Sequence, residues 1–151
     1  MSGRILGPGR YGLADLRIGD IIETGKRHVT TQEIDAFAKL TGDQFEIHMN
    51  TLAAQRYGFS NRVAHGLLVQ SLIDGLKNQA PVQFSAIASL GWNWRFCAPV
   101  LADDTISATI RVIALRGTSD GGRGIATLDF DVRNQSGETV QSGTNNLMIF
   151  V

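Results

Sequence analysis

The second half of the chain alternates apolar and polar residues with a period of two. Every even position from Phe84 to Phe96 is apolar, and the same alternation runs over Thr105–Val112 and Ala126–Arg133. Such alternation is typical of β-strands with one buried face. A further strand is predicted over Thr139–Phe150, where a change of phase near Gly143 predicts a β-bulge. The pattern therefore predicts four long strands in an antiparallel sheet.

Helical periodicity dominates the part of the chain before these strands. A threonine N-cap at residue 30 or 31, with Glu33 in the first turn and Gly42 after the last, predicts a short helix. The stretch from Gly66 to Lys77 is almost wholly apolar, which predicts a helix that is covered on most sides. A weaker strand pattern over Ile21–Val29 precedes both helices.

These elements predict an α+β domain in which one curved antiparallel sheet wraps around the apolar helix. A chain of 151 residues fits a single domain, which we expect over residues 16–151. Residues 1–15 are rich in glycine and are expected to form a flexible N-terminal arm. Because such a sheet leaves its edge strands unpaired, we expect a homodimer or a higher homo-oligomer built from dimers.

Composition and charge exclude several classes of function. The 14 basic residues balance the 14 acidic ones without a basic cluster, so no nucleic-acid partner is expected. Cys97 is the single cysteine, which excludes an internal disulfide and a multi-thiolate metal site, and no metal site is predicted. The sequence shows neither a signal peptide nor a membrane span, so we expect a cytoplasmic location and no membrane partner.

One predicted loop carries both an aspartate and a histidine. Asp43 and His48 lie five residues apart, directly after the helix that ends at Gly42. A carboxylate and an imidazole on one short loop can converge on a single water and act as general base and general acid. From the residues alone, a turn position for Asp43 and a helix-capping contact for His48 remain as structural alternatives.

The start of the apolar helix is a second candidate for chemistry. Gly66 follows His65 there, and a glycine in a first turn lets a ligand approach backbone N–H groups at the positive end of the helix dipole. Such a position suits an oxyanion. Alternatively, a glycine is needed at position 66 only for close packing of the helix against the sheet. His65 could either contact a ligand or have a structural role.

Several segments, taken in order, resemble the MaoC-like dehydratases, the (R)-specific enoyl-CoA hydratases of hot-dog fold. The resemblance covers the chain from about Leu16 to Phe150. It implies the hot-dog fold, dimers with a site near the subunit interface, and an acyl-CoA thioester substrate that brings its own coenzyme A, so that no separate cofactor is needed. The matching segments are Phe37–Asp43, Ile47–His48, Ala64–Leu68, Arg95–Val100 and Asp104–Ile106.

The resemblance also implies an activity and the residues that perform it. It implies a hydro-lyase that adds water across the double bond of a trans-2-enoyl-CoA, with Asp43 and His48 as the catalytic pair. The backbone N–H of Gly66 falls where the family holds the oxyanion. His65, Phe45 and Leu67 are the further residues expected to contact substrate.

One departure from the family's pattern keeps other activities open. Phe45 and Glu46 stand where the family commonly has Asn-Pro. Phe45, together with His48 and Met49, resembles the hydratase-like domain that opens the oxepin-CoA ring in phenylacetate degradation. A ring hydrolase of that kind, a hot-dog thioesterase and a non-catalytic acyl-CoA-binding domain are the alternatives.

Overall fold

The computed structural model describes residues 3–151, and within them the chain forms an α+β fold. The helices are α1 (Thr31–Thr41), α2 (Glu46–Met49), α3 (Thr51–Arg56) and α4 (Gly66–Gln79). The strands are β1 (Gly9–Tyr11), β2 (Ile21–Glu23), β3 (Arg27–His28), β4 (Val82–Phe84), β5 (Ala86–Phe96), β6 (Thr105–Gly117), β7 (Arg123–Arg133) and β8 (Thr139–Phe150).

The main sheet is antiparallel, with the strand order β2-β6-β7-β8-β5, and β3 also pairs with β6. Its inward side chains pack with those of α4 in one core, because β6 and β7 bury alternate residues as their period of two predicts. This confirms the α+β fold class, the antiparallel sheet and the central helix. None of the helices over residues 3–151 is long and apolar enough to cross a membrane.

The apolar helix differs in one respect from the prediction that it is covered on most sides. Val69 and Ile73 are fully buried against the sheet, whereas Leu67 is 61% exposed and Ser71 is also exposed. One side of α4 is therefore open in the single chain. A helix that packs on one sheet face buries only the stripe of residues turned toward it.

The described part of the N-terminal arm is held against the domain, which corrects the expectation of a flexible arm over residues 1–15. β1 pairs in parallel with β4, and Leu6 is buried. Arg4 donates two hydrogen bonds to the buried carboxylate of Asp20, at 2.9 and 2.7 Å. Glycine content alone therefore misled the prediction, because these residues gain backbone and ion-pair partners from distant segments. Met1 and Ser2 lie outside the described residues.

β8 contains the predicted bulge, but at Val140 rather than at Gly143. The β7–β8 register runs without a shift from Arg123 opposite Phe150 to Val132 opposite Gln141, and then shifts, because Arg133 lies opposite Thr139. Val140 and Gln141 are consecutive and both buried, so the buried face changes phase there. After the bulge, the polar residues Gln141 and Asn145 occupy inward positions.

β5 has two further irregularities, where the strand shifts register against β8 between Ala86 and Ala88 and between Ser89 and Gly91. Of the even positions expected to be buried here, Trp92 and Trp94 pack on Phe130 with ring centroids 5.4 Å away. The other even positions of β5 are exposed. This follows from the place of β5 at the edge of the sheet.

Candidate active site

The cap structures of α1 position Asp43. The Thr30 hydroxyl accepts a hydrogen bond from the Glu33 N–H at 3.1 Å, and the Glu33 carboxylate accepts one from the Thr30 N–H at 3.1 Å. Gly42 ends the helix in the left-handed conformation, with φ 82°. The predicted helix and both of its caps are thereby confirmed. Asp43 follows the turn, and its carboxylate accepts a hydrogen bond from the Phe45 N–H at 3.3 Å.

The segment expected to be a plain loop contains the short helix α2, and His48 lies on its buried side. The Nδ1 of His48 donates to the backbone carbonyl of Val63 at 2.6 Å. Because a carbonyl oxygen only accepts, Nδ1 carries the hydrogen, and Nε2 of the neutral ring keeps its lone pair. Arg62 fixes the backbone of α2, since its Nε donates to the His48 carbonyl at 2.5 Å and its terminal nitrogen to Asp35 at 2.5 Å. His48 therefore presents a base from a firmly held position.

His65 contacts both members of the predicted catalytic pair. Its ring stacks on that of His48, with centroids 3.8 Å apart and an interplanar angle of 23°. Its Nε2 donates to the backbone carbonyl of Asp43 at 2.8 Å, which links the start of α4 to the end of α1. Its Nδ1 is buried and has no hydrogen-bond partner among residues 3–151. The structure thus places His65 behind the pair, where it holds the backbone of Asp43.

Burial sets the charge state of His48. Burial lowers its pKa, and the nearby His65 and Arg62 lower it further. The hydrogen bond to Val63 and the negative charge of Asp43 act in the opposite direction, but the net pKa lies below the ordinary value of 6.5. The imidazole is therefore neutral at physiological pH and is able to accept a proton.

A cavity of about 320 Å³ opens beside His48, and its lining is mostly apolar. Gly66 lies in this lining at the first turn of α4, where no side chain caps the helix. Its first-turn N–H groups have no partner within the helix, because such groups precede the first helical hydrogen bond. The lining consists of His48, Phe59, Val63, Ala64, Gly66, Val69, Phe96, Cys97, Ala98, Pro99, Val100 and Gln141.

The structure brings three of the predicted site residues together and leaves one apart. The side-chain ligand atoms of Asp43, His48 and His65 lie within 4.8 Å of one another. Phe45 is 51% exposed, and its ring meets the His48 ring edge-on at a centroid distance of 6.1 Å. Leu67 lies outside the cavity, in a groove of about 250 Å³ along the open side of α4.

The Asp43, His48 and His65 cluster fits proton transfer better than metal binding. One ring nitrogen of each histidine donates to a backbone carbonyl, a contact that metal-ligating histidines also make, so the orientation of the rings decides between the two roles. The two rings are nearly parallel, so their in-plane lone pairs run side by side rather than converging on one ion, as tetrahedral coordination requires. The cluster instead combines a carboxylate with a neutral imidazole at the edge of an apolar cavity.

Three contributors to the site were not predicted from the sequence. Val63 supplies the carbonyl that orients His48, and a backbone group leaves no residue-type signal. Phe96 packs against Gly66, and a Cβ added to that glycine would lie 2.4 Å from the Phe96 ring. Gln141 reaches the Gly66 carbonyl from β8, with its Nε2 at 3.0 Å. The polar residue at an inward strand position was the available signal for Gln141.

The sequence and the fold are both similar to those of known proteins. Residues 16–132 match the family model of the MaoC like domain. The chain belongs to the MaoC-like family. A MaoC-like dehydratase structure from Rhodospirillum rubrum superposes with a TM-score of 0.85 at 25% identity, covering 93% of this chain and 97% of that one. The sheet around α4 is the hot-dog fold, as the resemblance implied.

The relatives with enzyme names include a hydratase and a dehydratase. The (R)-specific enoyl-CoA hydratase of Aeromonas caviae is 31% identical over 128 residues, covering 85% of this chain and 91% of the relative. The beta-methylmalyl-CoA dehydratase of Chloroflexus aurantiacus is 33% identical over 135 residues, covering 88% of this chain. The chain spans only 38% of the length of that dehydratase, and between 31% and 63% of three further curated relatives.

Proposed function

We propose that the chain is a hydratase of 2-enoyl-CoA thioesters that works in both directions and forms the (R)-3-hydroxyacyl thioester. The observation that carries this proposal is a buried, neutral His48 whose Nδ1 is engaged by Val63, with a ring nitrogen within 4.8 Å of an Asp43 carboxylate oxygen, beside an apolar cavity. Family membership supports it, since the relatives named above include an enoyl-CoA hydratase and an acyl-CoA dehydratase.

In the proposed reaction, Asp43 and His48 hold one water molecule over the double bond. His48 Nε2 takes a proton from this water while the oxygen forms its bond to C3, and the electron pair of the double bond moves toward the thioester. The imidazolium then returns the proton to C2 on the same face, which gives net syn addition of water and regenerates the neutral ring. Dehydration runs through the same steps in reverse.

The first turn of α4 would stabilise the charge that develops in this reaction. Attack at C3 places negative charge on the thioester oxygen, and the Gly66 N–H is proposed to hold that oxygen. The uncapped helix start supports this role, because its N–H groups and the helix dipole favour an anion.

The three remaining residues that were predicted to contact substrate have different proposed roles. Phe45, half exposed beside the His48 ring, would cover the reacting acyl group from the solvent side. We assign His65 to holding Asp43 and His48 in place, because its ring is 2% exposed and its Nε2 is used by the Asp43 carbonyl. A substrate contact by Leu67 stays a prediction.

The test mixes the purified protein with crotonyl-CoA and follows the loss of the enoyl-thioester absorbance. The product is then assigned with an (R)-specific and an (S)-specific 3-hydroxyacyl-CoA dehydrogenase. We expect conversion to the (R) product. A thiol-reactive dye in a parallel reaction would detect free coenzyme A, so thiol release without hydration would replace this proposal with a thioesterase. Turnover of a ring enoyl-CoA alone would favour the oxepin-CoA alternative.

We further propose that two chains pair through the edge of the sheet. β5 is an edge strand, and it exposes Leu90 by 50% and Ile87 by 39%. An exposed strand with apolar side chains is a template for strand pairing. Light scattering should give twice the mass of one chain, and Leu90→Lys should lower that mass. Leu40→Lys, at an 84% exposed position on α1, is the matched control.

A further inference from the structure

Residues of two paired strands hold the start of α4. This part of the helix borders the cavity of the proposed active site. Phe96 of β5 and Gln141 of β8 lie directly opposite each other in the ladder. Both touch Gly66: the Phe96 ring lies against its Cα, and Gln141 Nε2 donates to its carbonyl at 3.0 Å. A glycine, which has the largest backbone freedom of all residues, is thus held from two sides.

Gln141 is itself fixed before it reaches Gly66. Trp94, two residues before Phe96 in β5, donates its indole N–H to Gln141 Oε1 at 2.8 Å. This bond orients the amide, because Oε1 is occupied as the acceptor and Nε2 is left to donate toward α4. Gln141 is 2% exposed in a strand whose other deeply buried residues include Val140, Leu147 and Ile149. Burying an amide without hydrogen-bond partners raises the free energy of the folded state. The hydrogen bonds to Trp94 and Gly66 offset this cost for Gln141.

The hydrogen bond of Gln141 goes to a group whose orientation matters for the proposed reaction. Gly66 is the first residue of α4, and no side chain caps this end of the helix. The Gly66 carbonyl has a second lone pair besides the one available to the helix, so it accepts from Gln141 without breaking the helix. Fixing this peptide against the sheet also limits rotation of the first turn and of its N–H groups, which border the cavity.

We propose that Gln141 is a positioning residue that acts through Gly66, with Trp94 holding its amide in the donating orientation. It keeps the first-turn N–H groups of α4 aimed at the point where the thioester oxygen becomes charged. This inference rests on the proposed hydratase function. It predicts an effect on the rate of the chemical step rather than on substrate binding, because preorganised donors favour the transition state over the bound substrate.

The test compares Gln141→Met with wild-type protein on crotonyl-CoA. Methionine keeps the length of the side chain and removes both hydrogen bonds. We expect kcat to fall on the order of 10-fold, less than the loss of an oxyanion donor itself, with KM changed by less than about 3-fold. Trp94→Phe removes only the indole N–H, and it should lower kcat by a smaller factor. An unchanged kcat in Gln141→Met, or a rise in KM alone, would overturn the inference.

Asn145→Leu is the matched control, because Asn145 is the other deeply buried amide of β8. It is 0% exposed and donates to Ser89 and Gly91 of β5, away from α4. Its loss should lower the melting temperature while kcat stays at the wild-type value. An equal fall of kcat in Asn145→Leu and Gln141→Met would show a general packing effect and contradict the inference.

A second readout separates this inference from the proposed function. Hydrogen–deuterium exchange of the peptide that spans residues 65–70 should speed up in Gln141→Met and Trp94→Phe but not in Asn145→Leu. If wild-type protein hydrates no enoyl-CoA, the proposed function fails while the exchange data still report on the contact with Gly66. Unchanged exchange in both variants, with active wild-type protein, overturns the positioning role. If Gln141→Met does not fold, Trp94→Phe decides both readouts.

Discussion

His48 and His65 stack their imidazole rings with centroids 3.8 Å apart, although 17 positions along the chain and a change of element separate them. Each ring also donates to a backbone carbonyl, His48 to Val63 and His65 to Asp43. The stack therefore joins α2, the end of α1 and the start of α4 at one point. The proposed base depends on this junction for its position and for its neutral charge state.

Replacing either member of the proposed catalytic pair should remove most of the proposed hydratase activity. We expect His48→Gln and Asp43→Asn each to lower kcat by about 100-fold or more, as is typical for the loss of general acid–base catalysis. Steady-state kinetics with crotonyl-CoA measures this, and circular dichroism checks the fold. His28→Gln and Asp103→Asn are matched controls, because these two residues form an exposed pair at 3.1 Å. Near-normal turnover in His48→Gln would remove His48 from the mechanism.

The pH profile should report the neutral state of His48. Its pKa is lowered, chiefly by burial, and the charged groups around it are Asp43, His65 and Arg62. Because the neutral imidazole is the active form, kcat/KM should be at its plateau at pH 7 and fall only below the ordinary histidine value of 6.5. A profile measured from acid to neutral pH tests this. An acid limb centred above 6.5 would contradict the assignment.

Variants of His65 should distinguish the effect of its stack on His48 from the effect of its hydrogen bond to Asp43. His65→Gln keeps a donor in reach of the Asp43 carbonyl but removes the stack, whereas His65→Phe keeps an aromatic ring on His48 and removes the donor. We expect both variants to lower kcat. His65→Phe, which loses the donor, should lower it on the order of 10- to 100-fold, because small displacements of reacting groups slow the chemical step strongly. The acid limb of kcat/KM should also move in His65→Gln. A lower melting temperature with unchanged kinetics would reduce His65 to a packing residue.

Gly66 and Gly75 offer a comparison within one helix. A Cβ at Gly66 would lie 2.4 Å from the Phe96 ring, whereas one at Gly75 meets nothing within 4 Å. Gly66→Ala should lower the free energy of unfolding by about 1–3 kcal/mol, and Gly75→Ala should raise it by about 0.5–1 kcal/mol. Urea unfolding measures both. Gly66→Ala combined with Phe96→Ala should recover part of the loss, and additive effects would argue against direct contact.

Local signals in the sequence were sufficient to predict α1, the helix that ends just before Asp43. The capping residues Thr30 and Glu33 and the left-handed Gly42 act within one helix, so their residue types alone indicate where α1 begins and ends. The sequence also shows directly that Asp43 and His48 are five positions apart. The short helix α2 was missed because only four residues form it, too few for a periodic pattern.

Contacts between distant segments could not be predicted from the sequence patterns. His65 reaches Asp43 from 22 positions away, and Gln141 reaches Gly66 from 75. The apolar alternation of β8 is interrupted both by the bulge at Val140 and by the inward polar residue Gln141, so the pattern predicts a bulge but not its position. Only the three-dimensional arrangement separates the shifted register from the buried amide and its partners.

The ordered N-terminal segment changes where this domain should be taken to begin. The family match starts at residue 16, yet β1 and the Arg4 side chain lie before that point and complete contacts of the folded body. A chain cut at Leu16 would leave the backbone of β4 without its parallel neighbour and Asp20, which is 2% exposed, without its guanidinium. The region recognised by sequence similarity is thus smaller than the unit that folds, and a truncation guided by that similarity would remove part of the structure.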